Sequence, residues 1–246
     1  HVMPLVVNNA LCSHLLQMLG AQVIKVESRR RPDGARNGPS AFYDLLNSGK
    51  RSVALAFDGN DTGRLHELLD WADIVIEASR PRALRQLGVM PEECIARRSG
   101  LTWVSLTGYG RDEPEGNWTA FGDDAGVAAG LSALMLQVSG LPLICGDAIA
   151  DPLAGVHAAL AAVAGLQGGG GWLLSIPLRD VVAHCIGFDR LPGAAATRER
   201  WLAWTAEARS LGVDATPPTA RSPAGPARAL GADDGSALAG WEIACD

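Results

Sequence analysis

Four short apolar runs, separated by segments of helical periodicity, constrain this chain more than any other feature. They are Val23–Val26, Ser52–Ala56, Asp73–Glu77 and Leu101–Leu106. Each has the length of a strand buried on both faces. Between them Leu65, Leu68 and Leu69 recur at helical spacing, as do Leu15, Leu16 and Leu19 before the first run. Gly20 stands where a helix C-cap belongs, and Gly63 and Gly88 punctuate later connections. Strands alternating with helices require crossover connections, so the expected fold is α/β, a parallel doubly wound sheet with flanking helices.

The stretch Ser28–Ala41 is polar and carries Arg29, Arg30 and Arg31, Pro32, Gly34 and Gly38, so it reads as a loop leaving the first of these runs. In open α/β sheets ligands bind at that end of the strands. A second exposed loop is expected over Tyr109–Trp118. Two long apolar helices follow, Asp123–Leu136 and Asp151–Leu166. The glycines of Gly168–Gly171 make a turn into a strand at Trp172–Ile176, and Pro177–Phe188 reads as a helix. Thr216–Leu238 is rich in Ala, Pro and Gly and is expected to run extended over the surface. The opening HVMPLVVNN lacks the basic stretch and apolar core of a signal peptide and reads as a trimmed end.

A composition 48% hydrophobic supports a proper core, and a net charge of -6 argues against a nucleic-acid partner. The five cysteines are scattered, odd in number and never in CxxC spacing, which argues against a disulfide framework and a zinc site and suits a reducing cytoplasm. No apolar run reaches about 18 residues, so no membrane span is expected. Neither GxGxxG nor GxxxxGK[ST] occurs, and the glycine run at Gly168 precedes a strand, so it serves backbone geometry. No histidine pair has HExxH spacing and no GxSxG is present, which leaves no support for a hydrolytic triad. No metal and no permanently bound cofactor are expected.

Basic residues cluster at the expected strand ends: Arg29, Arg30, Arg31 and Arg36; Lys50 and Arg51; Arg80, Arg82 and Arg85. Guanidinium groups at neighbouring strand ends can hold phosphates bidentately, although each alone suits a solvated surface. The most specific segment is CGDAIADPLAG, Cys145 to Gly155. Asp151 precedes Pro152, a residue favoured at the first helical position, so Asp151 is expected at the N-cap. A carboxylate there serves as a helix cap, and among small residues that leave room for a bulky substrate it can also be a covalent nucleophile. Asp147, four residues earlier, is the alternative nucleophile.

Taken in order, these pieces resemble the class III coenzyme A transferases, the superfamily of formyl-CoA and carnitine CoA-transferases and α-methylacyl-CoA racemase. The matching segments are LGAQVIKVES with the following Arg36, NSGKRSVAL, ADIVIEASRP, LTWVSLTGYG, IADPLAGVHAALAAVAGL and SIPLRDVVAH. The resemblance runs over about residues 11–188, and PAGPARALGADDGSAL is similar to the family's C-terminal end.

The resemblance implies a Rossmann-like domain holding CoA at its strand ends, in an interlocked dimer or paired with a complementary subunit. It implies Asp151 as the nucleophile that carries the acyl group. It places Arg36 and Leu55 at the adenine and ribose-phosphate end of CoA, and Arg80 and Phe121 along the path to Asp151. An acyl-CoA and a carboxylic acid acceptor are the implied partners, with CoA a substrate rather than a resident group. Ala78 stands where the family often has asparagine, and Asp58 stands near the place of a missing basic residue. Family members are longer, and Arg190–Asp214 takes the place of their small domain. The expected division is therefore a large domain over residues 1–190 and a helical segment with an extended tail over 191–246. Two other functions share the pattern. A 2-methylacyl-CoA racemase would need Asp123 or Asp124 to replace a histidine expected near Phe121–Asp124. A non-catalytic subunit would bind CoA without transferring it.

Overall fold

The structure is a computed structural model, and it describes residues 1–5, 10–57, 61–188, 193–213, 219 and 221–236. Asp58, Cys245 and residues 189–192, 214–218, 220 and 237–246 of the expected tail lie outside these.

Among the described residues six strands form one sheet: β1 (Val2–Leu5), β2 (Ile24–Ser28), β3 (Arg51–Leu55), β4 (Ile74–Glu77), β5 (Thr102–Thr107) and β6 (Trp172–Pro177). Their order is β3-β2-β1-β4-β5-β6, and every pair is parallel. This is the doubly wound order, in which the direction of winding reverses between β1 and β4. The expected α/β architecture is therefore present. The opening residues, where no strand was expected, supply a central one: Val2 and Met3 are buried and β1 pairs with both β2 and β4.

The helices are α1 (Ala10–Met18), α2 (Ser40–Asn47), α3 (Thr62–Trp71), α4 (Pro81–Gln86), α5 (Pro91–Arg97), α6 (Gly122–Ala128), α7 (Leu131–Ser139), α8 (Ala150–Gln167), α9 (Leu178–Gly187) and α10 (Ala194–Ser210). Alternation along the strands divides the core into two layers, because successive side chains point to opposite faces. Ile74, Ile76, Val104 and Leu106 pack with α1, α8 and α9, whereas Val75 and Trp103 pack with Leu65, Leu68 and Leu69 of α3. The single helix expected over Asp123–Leu136 is two, since Gly130, at φ 93°, breaks α6 from α7. The Gly168–Gly171 turn is as expected. A Cβ on Gly170 would lie 2.0 Å from the Gly100 carbonyl oxygen, so only glycine fits there.

On β2 the face opposite Ile24 and Val26 carries Lys25 and Glu27, both buried. Lys25 is paired with Asp33 and Glu27 with Arg36, which ties the loop after β2 back onto its own strand. The last described segment does more than run extended over the surface. Asp233 and Asp234 accept hydrogen bonds from the backbone N–H groups of Ser52 (2.9 Å) and Ala54 (2.8 Å), closing the otherwise open edge of β3.

Candidate active site

A cleft of about 670 Å³ opens at the C-terminal ends of β4 and β5, and Arg31, Ser79, Arg80, Thr107, Phe121 and Asp151 are among its lining residues. Each side chain is delivered by a local device. Pro81 at the start of α4 favours an extended residue before it, and Arg80 has φ -64° and ψ 138°. Gly108, just past β5, lets the chain at Ala120 lie against the strand end, for a Cβ there would fall 2.3 Å from the Ala120 Cβ. That close approach brings Trp118, Ala120 and Phe121 to the lining of the cleft.

Asp151 depends on a second close approach. A Cβ on Gly122 would meet the Ala148 carbonyl oxygen at 2.4 Å, so the N-terminus of α6 is pressed against the turn that leads into α8. Asp123 Oδ1 accepts a hydrogen bond from the Ala148 N–H at 2.8 Å, and Ala148 takes the left-handed φ of 50°. The turn is already helical at Ile149 (φ -54°, ψ -31°), so α8 begins at Ala150 and Asp151 is inside the first turn. The expected N-cap role is thereby corrected, since Ile149 occupies that position.

Burial pushes the Asp151 carboxyl above its usual range, and the negative charges of Asp123, Asp124 and Asp147 push it the same way. The positive end of α8 acts in the opposite sense on any negative charge held there. Asp147 is exposed and is not among the cleft-lining residues.

The expected CoA residues divide into two groups. Arg80 and Phe121 line the cleft with Asp151, and Arg31, from the arginine run after β2, joins them. Arg36 and Leu55 are elsewhere, toward the β2–β3 edge. Arg36 donates to both carboxylate oxygens of Glu27 (Nε 3.0 Å, Nη2 2.5 Å), to Ser52 Oγ and to the Arg228 carbonyl. Leu55 is buried in the core, and its carbonyl accepts the Arg29 N–H. Lys50, counted among the strand-end cations, is buried and donates to Ala10 O, Ser13 Oγ and Asn47 Oδ1. Burial, reinforced by the positive charge of Lys25, lowers its pKa to about 7.

Two further residues, next to the cleft in the chain or the sheet but not lining it, were not singled out by sequence. Glu77 is fully buried at the last position of β4, and Arg111 reaches it from the loop after β5. The available signal was an acid closing an otherwise apolar run, ADIVIEA.

A model of the family described as CoA-transferase family III matches residues 4–200, which is most of the chain. The chain belongs to this family. Among curated relatives it is 32% identical over 165 residues to a probable fatty acyl-CoA transferase of Mycobacterium tuberculosis, covering 63% of this chain and 42% of that protein. It is 29% identical to the succinyl-CoA–D-citramalate CoA-transferase of Chloroflexus aurantiacus (63% and 41%), and 26% identical to a formyl-CoA:oxalate CoA-transferase of Escherichia coli (70% and 44%). The chain thus spans less than half the length of these relatives. Among solved structures, the crystal structure of the mycobacterial protein superposes with a TM-score of 0.67 at 28% identity, covering 76% of this chain and 56% of that one. A CAIB/BAIF family protein from Brucella suis shares the fold, with a TM-score of 0.66 at 24% identity and coverage of 75% and 54%.

Proposed function

We propose that this family III chain transfers coenzyme A from an acyl-CoA thioester to a carboxylic acid, with Asp151 as the covalent carrier. The observation that supports it best is the meeting of the Asp151 carboxylate with Arg31 and Arg80 in one cleft. The guanidinium groups suit the phosphates of CoA, and the carboxylate suits the thioester carbonyl.

In this reading a carboxylate oxygen of Asp151 attacks the acyl carbonyl carbon, the C–S bond breaks, and CoA leaves as thiolate from a mixed anhydride. The thiolate then attacks the Asp151 carbonyl, releasing the donor acid and leaving an aspartyl-CoA thioester. The acceptor carboxylate attacks that thioester, giving a second anhydride and free thiolate. Attack of the thiolate on the acceptor's acyl carbonyl yields the new acyl-CoA and restores Asp151. Bonds to sulfur and oxygen are exchanged without net proton transfer.

The racemase reading requires a free base opposite Asp151. Asp123 is engaged by the Ala148 N–H, and Asp124 accepts from the Phe121 N–H at 2.6 Å. A second reading, CoA binding without transfer, draws on the chain's coverage of less than half of its relatives. Incubating the chain with a panel of acyl-CoAs and carboxylic acids separates the two: new thioesters support transfer, and CoA binding without them supports the second reading.

We also propose that a second chain, a further copy or a complementary subunit, covers the outer helices. Val156 and Leu160 of α8 are exposed, and α7 buries none of its residues. Light scattering at micromolar concentration tests this, and a clean monomer contradicts it. The cysteines are scattered and never in CxxC spacing, which supports a cytoplasmic setting. Among the described residues, no helix is long and apolar enough to cross a membrane.

A further inference from the structure

We infer that Glu77 is a positioning residue, which acts through Arg111 to hold the loop that brings Trp118 and Phe121 to the lining of the cleft. The inference rests on reading the cleft as the acyl-CoA site, but its geometry is independent of that ligand. Glu77 is the last residue of β4, directly before the lining residues Ala78, Ser79 and Arg80. Its Oε2 accepts the Trp103 indole N–H at 2.9 Å, and its Oε1 accepts the Ser79 hydroxyl at 3.3 Å. Arg111 Nη1 approaches the same Oε2 at 3.5 Å while donating to Ser105 Oγ at 2.8 Å, and Nη2 lies 3.5 Å from Glu92 Oε1. One buried carboxylate thus joins β4, β5 and the loop beyond β5.

The loop is built around that arginine. A Cβ on Gly116 would fall 2.6 Å from the Arg111 carbonyl oxygen, so the chain folds back tightly against it. The backbone N–H groups of Gly116, Asn117 and Trp118 bond to Asp112, Pro114 and Glu115, inside the same loop. Those bonds shape the loop without fastening it to the sheet. Arg111 supplies a fastening to the sheet, and Trp118 follows two residues after Gly116. A buried carboxylate facing a mostly buried guanidinium is strongly disfavoured without its partner, so the pair favours one loop position over alternatives. Glu77 itself does not line the cleft.

The test is hydrogen exchange of Glu77→Gln, Arg111→Ala and Arg111→Lys, with CoA affinity measured on the same samples. Glutamine keeps one oxygen to accept from the Trp103 indole and turns its NH2 toward the Ser79 hydroxyl oxygen, which can accept from it, but it loses the charge that attracts Arg111. Exchange over residues 110–121 should rise about tenfold in Glu77→Gln and Arg111→Ala, with β4 and β5 unchanged. CoA affinity should fall in both, Arg111→Lys should recover part of it, and the double variant should be no worse than Arg111→Ala alone. Unchanged exchange over 110–121, or a rise spread through the whole sheet, overturns the inference. If Glu77→Gln does not fold, Arg111→Ala decides alone. Faster local exchange in a chain that never bound CoA supports the positioning role and contradicts only the reading of the ligand.

Discussion

The guanidinium of Arg36 meets the carboxylate of Glu27 side-on, with Nε 3.0 Å from one oxygen and Nη2 2.5 Å from the other. Glu27 is fully buried, and the Arg36 side chain is 16% exposed. The pair anchors the loop after β2, so the two arginines expected at CoA should behave differently when removed.

Arg36→Ala leaves a buried carboxylate unpaired and should destabilise the fold by about 3–5 kcal/mol. Arg80→Ala should leave the melting temperature nearly unchanged and weaken CoA binding about tenfold to a hundredfold, as loss of a charge-assisted hydrogen bond does. Urea titration and calorimetry measure the two effects. Unchanged CoA affinity in Arg80→Ala removes the phosphate role proposed for it.

Lys50 predicts an unusual pH dependence. Its folded pKa is lowered to about 7 from 10.5, so between these values the unfolded chain binds more protons than the folded one. Stability should therefore rise as pH increases through that window, by about 2 kcal/mol between pH 7 and 9. Below pH 7 the group is protonated in both states and contributes no further slope. Lys50→Met should flatten the rise. Parallel curves for the two proteins contradict the assignment.

The acids around Asp151 make a kinetic prediction. Burial and the charges of Asp123, Asp124 and Asp147 hold its carboxyl above the ordinary range. Only the carboxylate attacks, so covalent modification should fall away on acidification through a midpoint above that of an ordinary aspartate. Asp124→Asn removes one negative neighbour and should move the midpoint to lower pH. A midpoint that stays put in stopped-flow or quench data shows that the neighbour does not act on Asp151.

Much of this was legible in sequence, and the exceptions have physical causes. The strands β2 to β5 show as apolar runs because parallel strands are covered on both faces, whereas the edge strand β6, which has no buried residue, is marked by the glycine turn before it. β1 is obscured because Pro4 stands inside a four-residue strand, and proline ordinarily argues against a central strand. Asp151 could be set at a helix start because it precedes Pro152, whereas Arg80 was placed by the resemblance of its segment, ADIVIEASRP, to the family pattern. The N-cap assignment failed by two residues because the chain is already helical at Ile149, which Pro152 does not disclose. Arg36 and Lys50 read as ligand-facing cations because their partners, Glu27 and Ser13, come alongside only when β2, β3 and α1 pack. A local pattern of arginines cannot separate those that pair internally from those that line a cleft.

The central claim is covalent chemistry at Asp151. Intact-protein mass spectrometry of the wild-type chain and Asp151→Asn, each mixed with an acyl-CoA that the wild type binds, tests it most directly. The wild type should gain the mass of an acyl group or of CoA, mapped by peptide analysis to Asp151. Asp151→Asn should fold, bind the same acyl-CoA and stay unmodified. An adduct that persists in Asp151→Asn, or that maps to Asp147, contradicts the account.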